Sequence, residues 1–140
     1  MDIYQSEFGI RSNQRNEMLD ITGQVSSAVK ESGIQDGQVM VYCPHTTAAI
    51  TINENADPSV IHDILLTLEE LMPEGRKGYR HMEGNSDSHC KSSLVGASEQ
   101  IMIHQSRLVL GTWQGIFFCE FDGPRTRKVQ VRIIKEKFQE

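Results

Sequence analysis

Three polar stretches of this chain carry side chains whose types do chemistry. The first runs Pro44-His45-Thr46-Thr47 and on to Asn53-Glu54-Asn55-Ala56-Asp57. The second is Tyr79-Arg80-His81-Met82-Glu83-Gly84-Asn85-Ser86-Asp87-Ser88-His89. The third is Gly111-Thr112-Trp113-Gln114-Gly115, followed by Glu120-Phe121-Asp122-Gly123-Pro124-Arg125. Imidazole serves both as a metal ligand and as a general base near neutral pH. His45, His81 and His89, with carboxylates nearby, are raw material for a three-ligand divalent metal site with one open position, and nitrogen-rich ligation makes zinc the default. The spacing of His81 and His89 matches neither HExxH nor a zinc finger, and His45 beside Pro44 also reads as an ordinary turn residue. His62 and His104 read as surface residues.

The remaining polar groups divide by what else explains them. Asp57 before Pro58 reads as a helix N-cap, whereas Glu54 has no such structural task and is the better acid–base candidate. Asn53, Asn55 and Asn85 are suited to orienting a ligand or donating to developing charge. Arg125 and Arg127, with Arg80 and Lys91 as neighbours, can collect a phosphate through charge-assisted bonds, helped by the backbone donors of a helix starting at Ser86–Ser88. The same bases also read as the solvated side of a turn. Trp113, the single tryptophan, reads equally as core or as a stacking wall for an aromatic ring.

Elements that would position these groups follow from periodicity. Ile3–Phe8 and Met18–Ile21 read as weak strands, and Gln38–Cys43, Thr46–Asn53, Gln100–His104, Arg107–Leu110, Gly115–Phe121 and Arg127–Lys135 as further strands. Thr22–Gly33 reads as a helix capped by Thr22 and ended by Gly33. Asp57-Pro58 opens a second helix, with Ile61, Ile64, Leu65, Leu68 and Met72 on one face. A third, short helix over Ser88–Val95 would be capped by Ser86 or Asp87. Together these predict an α+β fold, a mostly antiparallel β-sandwich with two or three helices in a single domain over 1–140.

Composition narrows the function classes. The chain has 140 residues with 14 Lys+Arg against 19 Asp+Glu, a net charge of −5, which argues against a nucleic-acid binder. Its apolar runs are too short to span a membrane. Three cysteines without a CxxC read as reduced thiols in a cytoplasmic protein, Cys43 and Cys119 as small core residues.

The blocks HTTAAITINENADP, GNSDSHCKSSLVG and GTWQGIFFCEFDGPR, in that order, resemble the YjbQ-like family, an uncharacterised family associated with secondary thiamine-phosphate synthase activity. The resemblance implies a compact α+β fold, a homotrimer, and a site shared between subunits and able to hold a divalent metal, zinc or, with a pyrophosphate substrate, magnesium. By motif it makes His45, His81 and His89 metal candidates, and Glu54, Asn85 and Asp87 acid–base or orienting candidates. The associated reaction joins a hydroxymethylpyrimidine pyrophosphate to a thiazole phosphate and releases pyrophosphate. That chemistry needs positive charge on the leaving group and a wall for a heterocycle, which Arg80, Lys91, Arg125 and Trp113 would supply. A metal-dependent hydrolase of a phosphorylated small molecule needs similar parts, and a non-catalytic trimeric binding protein is the third alternative.

Overall fold

A computed structural model describes residues 2–137 of the chain, so the outermost residues of the expected 1–140 domain lie outside it. Along the chain run β1 (Ile3–Arg11), β2 (Glu17–Asp20), α1 (Thr22–Ser32), β3 (Gly37–Tyr42), β4 (Ala48–Glu54), α2 (Pro58–Leu71), α3 (Ser86–Val95), β5 (Ser98–His104), β6 (Arg107–Leu108), β7 (Gln114–Glu120) and β8 (Thr126–Lys135). They form two antiparallel sheets, ordered β1-β8-β3-β5-β6 and β2-β7-β4. The α+β sandwich expected from the strand and helix patterns is the fold observed.

Side-chain alternation decides which faces are covered. In β8, Arg127, Val129, Val131 and Ile133 are buried and their neighbours are exposed, so the larger sheet has one solvated face. In β7, by contrast, every residue from Gly115 to Glu120 is buried. β7 is the middle strand of the smaller sheet, and both its faces are covered. Ile116 and Phe118 join the core between the sheets, which includes Val25 and Val29 of α1. Phe117 and Cys119 point the other way, into a second cluster with Phe121 and Leu68, flanked by Ile61, Ile64 and Leu65 of α2.

Local chemistry sets the helix ends. The N-terminal turn of α1 is capped not by Thr22 but by Asp20, whose Oδ1 accepts from the Thr22 N–H at 2.9 Å and the Thr22 hydroxyl at 2.6 Å. Thr22 Oγ1 is then free to accept from the Ile116 N–H at 2.9 Å, tying helix to sheet. Gly33 ends the helix in the left-handed conformation, φ 68°. Asp57 caps α2 as expected, accepting from the Ser59 N–H at 2.9 Å. α3 begins earlier than its pattern suggests, at Ser86 with Asn85 in the cap position, and it buries Asp87, Ser88, Lys91 and Ser92. A helix buried through polar residues must be held by hydrogen bonds, and the Ser88 and Ser92 hydroxyls donate to the carbonyls of Phe121 and Ala48. No helix among the described residues is long and apolar enough to cross a membrane.

Candidate functional site

Four chain segments meet at one end of the sandwich: the β1–β2 turn, the β3–β4 turn, the β7–β8 turn, and the loop leading into α3. Between them lies a cavity of about 450 Å³ whose wall includes His45, His81, His89, Asn85, Arg125 and Arg127. Thus all three histidines singled out by type border one cavity. A larger cavity, about 550 Å³, lies over the solvated sheet face and is lined by Gln5, Met40, Tyr42 and Arg132 among others. It gathers no imidazole, so the smaller one is where chemistry is concentrated.

The floor of the site is a buried ion pair. Glu120 shares its face of β7 with Ile116 and Phe118, and Arg127 shares its face of β8 with Val129 and Val131, so both must point into the sandwich where the two sheets end. Glu120 is 0% exposed and Arg127 5%. Two charges so placed persist only if paired and fully hydrogen-bonded. Arg127 donates from Nε to Glu120 Oε1 at 2.9 Å and from Nη2 to Glu120 Oε2 and to Thr47 Oγ1. The Ser12 hydroxyl donates to Glu120 Oε1 at 2.7 Å, and the Asp122 N–H reaches Oε2 at 3.1 Å. Burial would raise the Glu120 carboxyl, but these bonds outweigh it and hold the group below the ordinary glutamate range. The same Ser12 oxygen accepts from the Arg125 N–H at 2.8 Å, fixing the turn that carries Arg125.

His45 is half-buried, its ring edge-on to Phe118 with centroids 6.4 Å apart. Its Nε2 lies 3.0 Å from the Lys128 backbone nitrogen and 3.2 Å from the Lys128 carbonyl oxygen, so the backbone of Lys128 anchors the ring. Burial and the nearby Arg127 guanidinium lower its pKa, so His45 is neutral at pH 7. His81 and His89 stand ring to ring in a T-shape, centroids 5.3 Å apart. Among the described residues, however, no three His, Cys, Asp or Glu side chains are close enough to hold a metal ion. The three-histidine zinc centre expected from the sequence is not seen among the described residues. His45 is turned to the Lys128 backbone while His81 and His89 pair with each other.

Asp122 organises the opposite wall. Its Oδ2 accepts from Asn85 Nδ2 at 2.8 Å and from Arg125 Nη2 at 2.9 Å, and its carbonyl accepts from Arg125 Nε at 2.8 Å. Asn85 is buried, and its Oδ1 has no hydrogen-bond partner. An unmet buried acceptor costs about 1–3 kcal/mol.

The other expected site residues fall elsewhere. Asp87 is fully buried and accepts both Arg15 Nη1 and Nη2 at 2.9 and 3.0 Å and Lys91 Nζ at 3.0 Å. Burial would raise its carboxyl, but the Arg15 and Lys91 bonds prevail and hold it below the usual aspartate range. A carboxylate clamped by two cations is poorly placed to move protons, and Lys91, also bonded to Glu69, is not available to a phosphate. This cluster instead fastens α3 to the β1–β2 turn. Glu54 and Trp113 lie at the far end of the smaller sheet. Glu54 pairs with Gln114, whereas Ala48 pairs with Glu120 at the site end, a separation of roughly 20 Å along the strand. Trp113 is exposed there, so it is no wall for a ligand in this cavity. Arg80 is exposed and does not border the cavity. Burial pushes the Cys43 and Cys119 thiols up to about 11 and about 12, consistent with inert core residues.

The burial patterns of β7 and β8 could have revealed Glu120 and Arg127 as partners, because a carboxylate in an otherwise apolar run and an arginine on a valine stripe each demand a counter-charge. Ser12, Thr47 and Arg15 left no comparable signal, since their roles exist only through contacts distant in sequence.

Comparison with known proteins places this geometry. The family profile described as "UPF0047 protein YjbQ-like" matches residues 6–136. A UPF0047 protein of Methanocaldococcus jannaschii is 55% identical over 131 residues, covering 94% of each chain. The YugU protein of Bacillus subtilis is 53% identical over 125 residues, covering 89% of this chain and 95% of that one. The crystal structure of an uncharacterised YjbQ/UPF0047-family protein from Clostridium acetobutylicum has a TM-score of 0.90 at 54% identity, over 92% of this chain and 99% of that chain. A YbjQ-like protein of unknown function from Sulfolobus solfataricus has a TM-score of 0.91 at 34% identity, over 96% and 98%.

Proposed function

The chain belongs to the YjbQ-like UPF0047 family, and on that premise we propose that its histidine-lined cavity binds a phosphorylated small molecule and transfers it, in a reaction resembling thiamine-phosphate synthase. The observation that carries this reading is the convergence of His45, His81, His89, Asn85, Arg125 and Arg127 on one cavity of about 450 Å³. In such a transfer the lone pair of a thiazole nitrogen forms the new bond to the pyrimidine's methylene carbon. The carbon–oxygen bond to pyrophosphate breaks with its electron pair left on oxygen. The protein's work is to hold and neutralise the leaving pyrophosphate in a pocket of low dielectric. Arg125 and Arg127 are each fixed by a carboxylate through other nitrogens, so their Nη1 groups are pre-oriented donors at the cavity wall. His45 adds a polar ring edge to the same wall, and the adjacent His81 and His89 can deliver a proton to the departing oxygen.

A divalent cation, zinc on imidazole or magnesium carried in on the pyrophosphate, would add charge neutralisation to the leaving oxygens. Because no three-ligand seat is gathered among the described residues, the proposal includes a homotrimer whose neighbouring copy borders the cavity. The test is direct. Purified protein given both precursors, with and without zinc or magnesium, should release pyrophosphate and form thiamine phosphate, and Arg125→Ala should reduce the rate at least tenfold. No product under any metal condition overturns the transferase reading.

One observation favours a second reading, a hydrolase of a phosphorylated small molecule. With Trp113 at the far end of the sheet, no tryptophan stands ready to stack a heterocycle. Turnover of a phosphate-ester panel with water as acceptor, without any thiazole, would select it. Binding of such esters with no turnover would select a non-catalytic role.

A further inference from the structure

Asn85 presents a problem that the protein itself does not solve. The residue is 6% exposed, it lines the histidine cavity, and its Oδ1 is the one buried side-chain polar atom without a hydrogen-bond partner among the described residues. The amide cannot be turned round to relieve this. A carboxylate only accepts, so the NH₂ side must face Asp122 Oδ2, 2.8 Å away, and the carbonyl side must face elsewhere. Several nearby donors are already committed. The Ser88 hydroxyl donates to the Phe121 carbonyl, Arg125 donates to Asp122 through Nε and Nη2, and Arg15 donates to Asp87 and Ser88. The charges beside Asn85 also have a sign. Asp122 adjoins it and Glu83 shares the cavity wall, while Arg127 and the partner-free nitrogen of Arg125 supply positive charge to the same cavity.

A buried acceptor next to a carboxylate selects a positively polarised N–H over a neutral hydroxyl. Resting on the reading of this cavity as an anion site, we infer that Asn85 is a specificity-determining residue: its Oδ1 receives an amino or ammonium N–H of the ligand, whose phosphate lies against the arginines. The ligand class is then a phosphate ester that also bears an amino group, not a plain phosphomonoester.

The experiment compares aminoalkyl phosphates of two to five carbons with alkyl phosphates of the same lengths, by calorimetric titration of the full chain. At the length that spans the cavity, the amino compound should bind at least tenfold more tightly than its alkyl counterpart. Asn85→Ala should abolish that preference while leaving alkyl phosphate affinity within about threefold. Circular dichroism checks that the variant is folded; if it is not, the length series on the wild type decides the matter. Equal affinities at every length in the wild type overturn the inference, as expected if only water meets Oδ1. Persistence of the preference in folded Asn85→Ala overturns it too. Alkyl phosphates that bind without any amino preference leave the anion site standing and remove only the role of Asn85. Failure of both series to bind removes both.

Discussion

Glu120 and Arg127 join the two sheets beneath the histidines, and their pairing ties the stability of the sandwich to the wall of the cavity. Arg127→Met strands a buried carboxylate, so urea denaturation should show a loss of about 3–5 kcal/mol. Replacing both residues with leucine should recover much of that loss yet leave phosphate binding impaired, which separates the two roles. Glu120 and Asp87 both have folded-state pKa values held below their ordinary ones. The native state therefore binds fewer protons than the unfolded state near those values. Their contribution is complete above about pH 4.5 and is lost as the pH falls through the lowered values. His45 is also lowered, so a smaller loss should begin below about pH 6.5. Stability measured by urea denaturation from pH 7 to pH 3 should decline in these two stages, and Glu120→Gln should flatten the lower one. A curve unchanged down to pH 3 would contradict the assigned shifts. At this scale the imidazoles, Asn85 and Arg125 were legible in the sequence, because loop polarity marks them. Glu54 and Trp113 were misplaced because residue type says nothing about which end of a strand faces the site. Asp87 and Lys91 looked available only because Arg15 and Glu69, their partners, lie far away in the chain.

Turns and helix ends carry the next layer. A Cβ on Gly123 would lie 2.3 Å from the Gln14 carbonyl oxygen, 2.6 Å from Ser12 Oγ and 2.8 Å from Glu120 Cγ. Gly123→Ala must therefore push the β7–β8 turn off the β1–β2 turn, and overpacking of this kind typically costs about 1–3 kcal/mol. Because the displaced atoms hold Arg125 and Glu120, phosphate affinity should fall with stability, measured by calorimetry and urea denaturation on the same variant. Asp57→Ala should cost about 1 kcal/mol through the lost cap of α2 and leave binding unchanged, since that helix end is remote from the cavity. The second helix was readable because its cap, proline and apolar stripe agree. The start of β4 was not. Thr46 and Thr47 are good strand formers, yet Thr47 is drawn into the loop, where its carbonyl accepts from the Phe121 N–H and its hydroxyl from Arg127. The onset of α3 was hidden because Asn85 spends its side chain on Asp122 instead of on the helix it precedes.

In the molecule as a whole, β7 separates two clusters and belongs to both, with Phe118 in one and Phe117 in the other. Phe118→Ala and Phe117→Ala should each cost about 3–5 kcal/mol. Both should shift one common unfolding transition, seen alike by far-UV and near-UV circular dichroism, because consecutive residues of one strand cannot unfold apart. Two resolved transitions would show that the clusters are independent. Fold class was legible from strand periodicity, but strand order was not, since pairing partners are chosen by contacts across most of the chain. The clearest case is β1 with β8, in register from Ile3 opposite Ile134 to Arg11 opposite Thr126. During synthesis this has a definite meaning. Until β8 leaves the ribosome, β1 and β3 lack the strand that lies between them, Glu120 lacks its counter-charge, and the histidine-lined cavity has no Arg127. A nascent chain stalled before Thr126 should be cut readily by protease and should bind no phosphate ester. Release of the last strand should confer protection and binding together, so the pocket reports that translation has passed the point of closure.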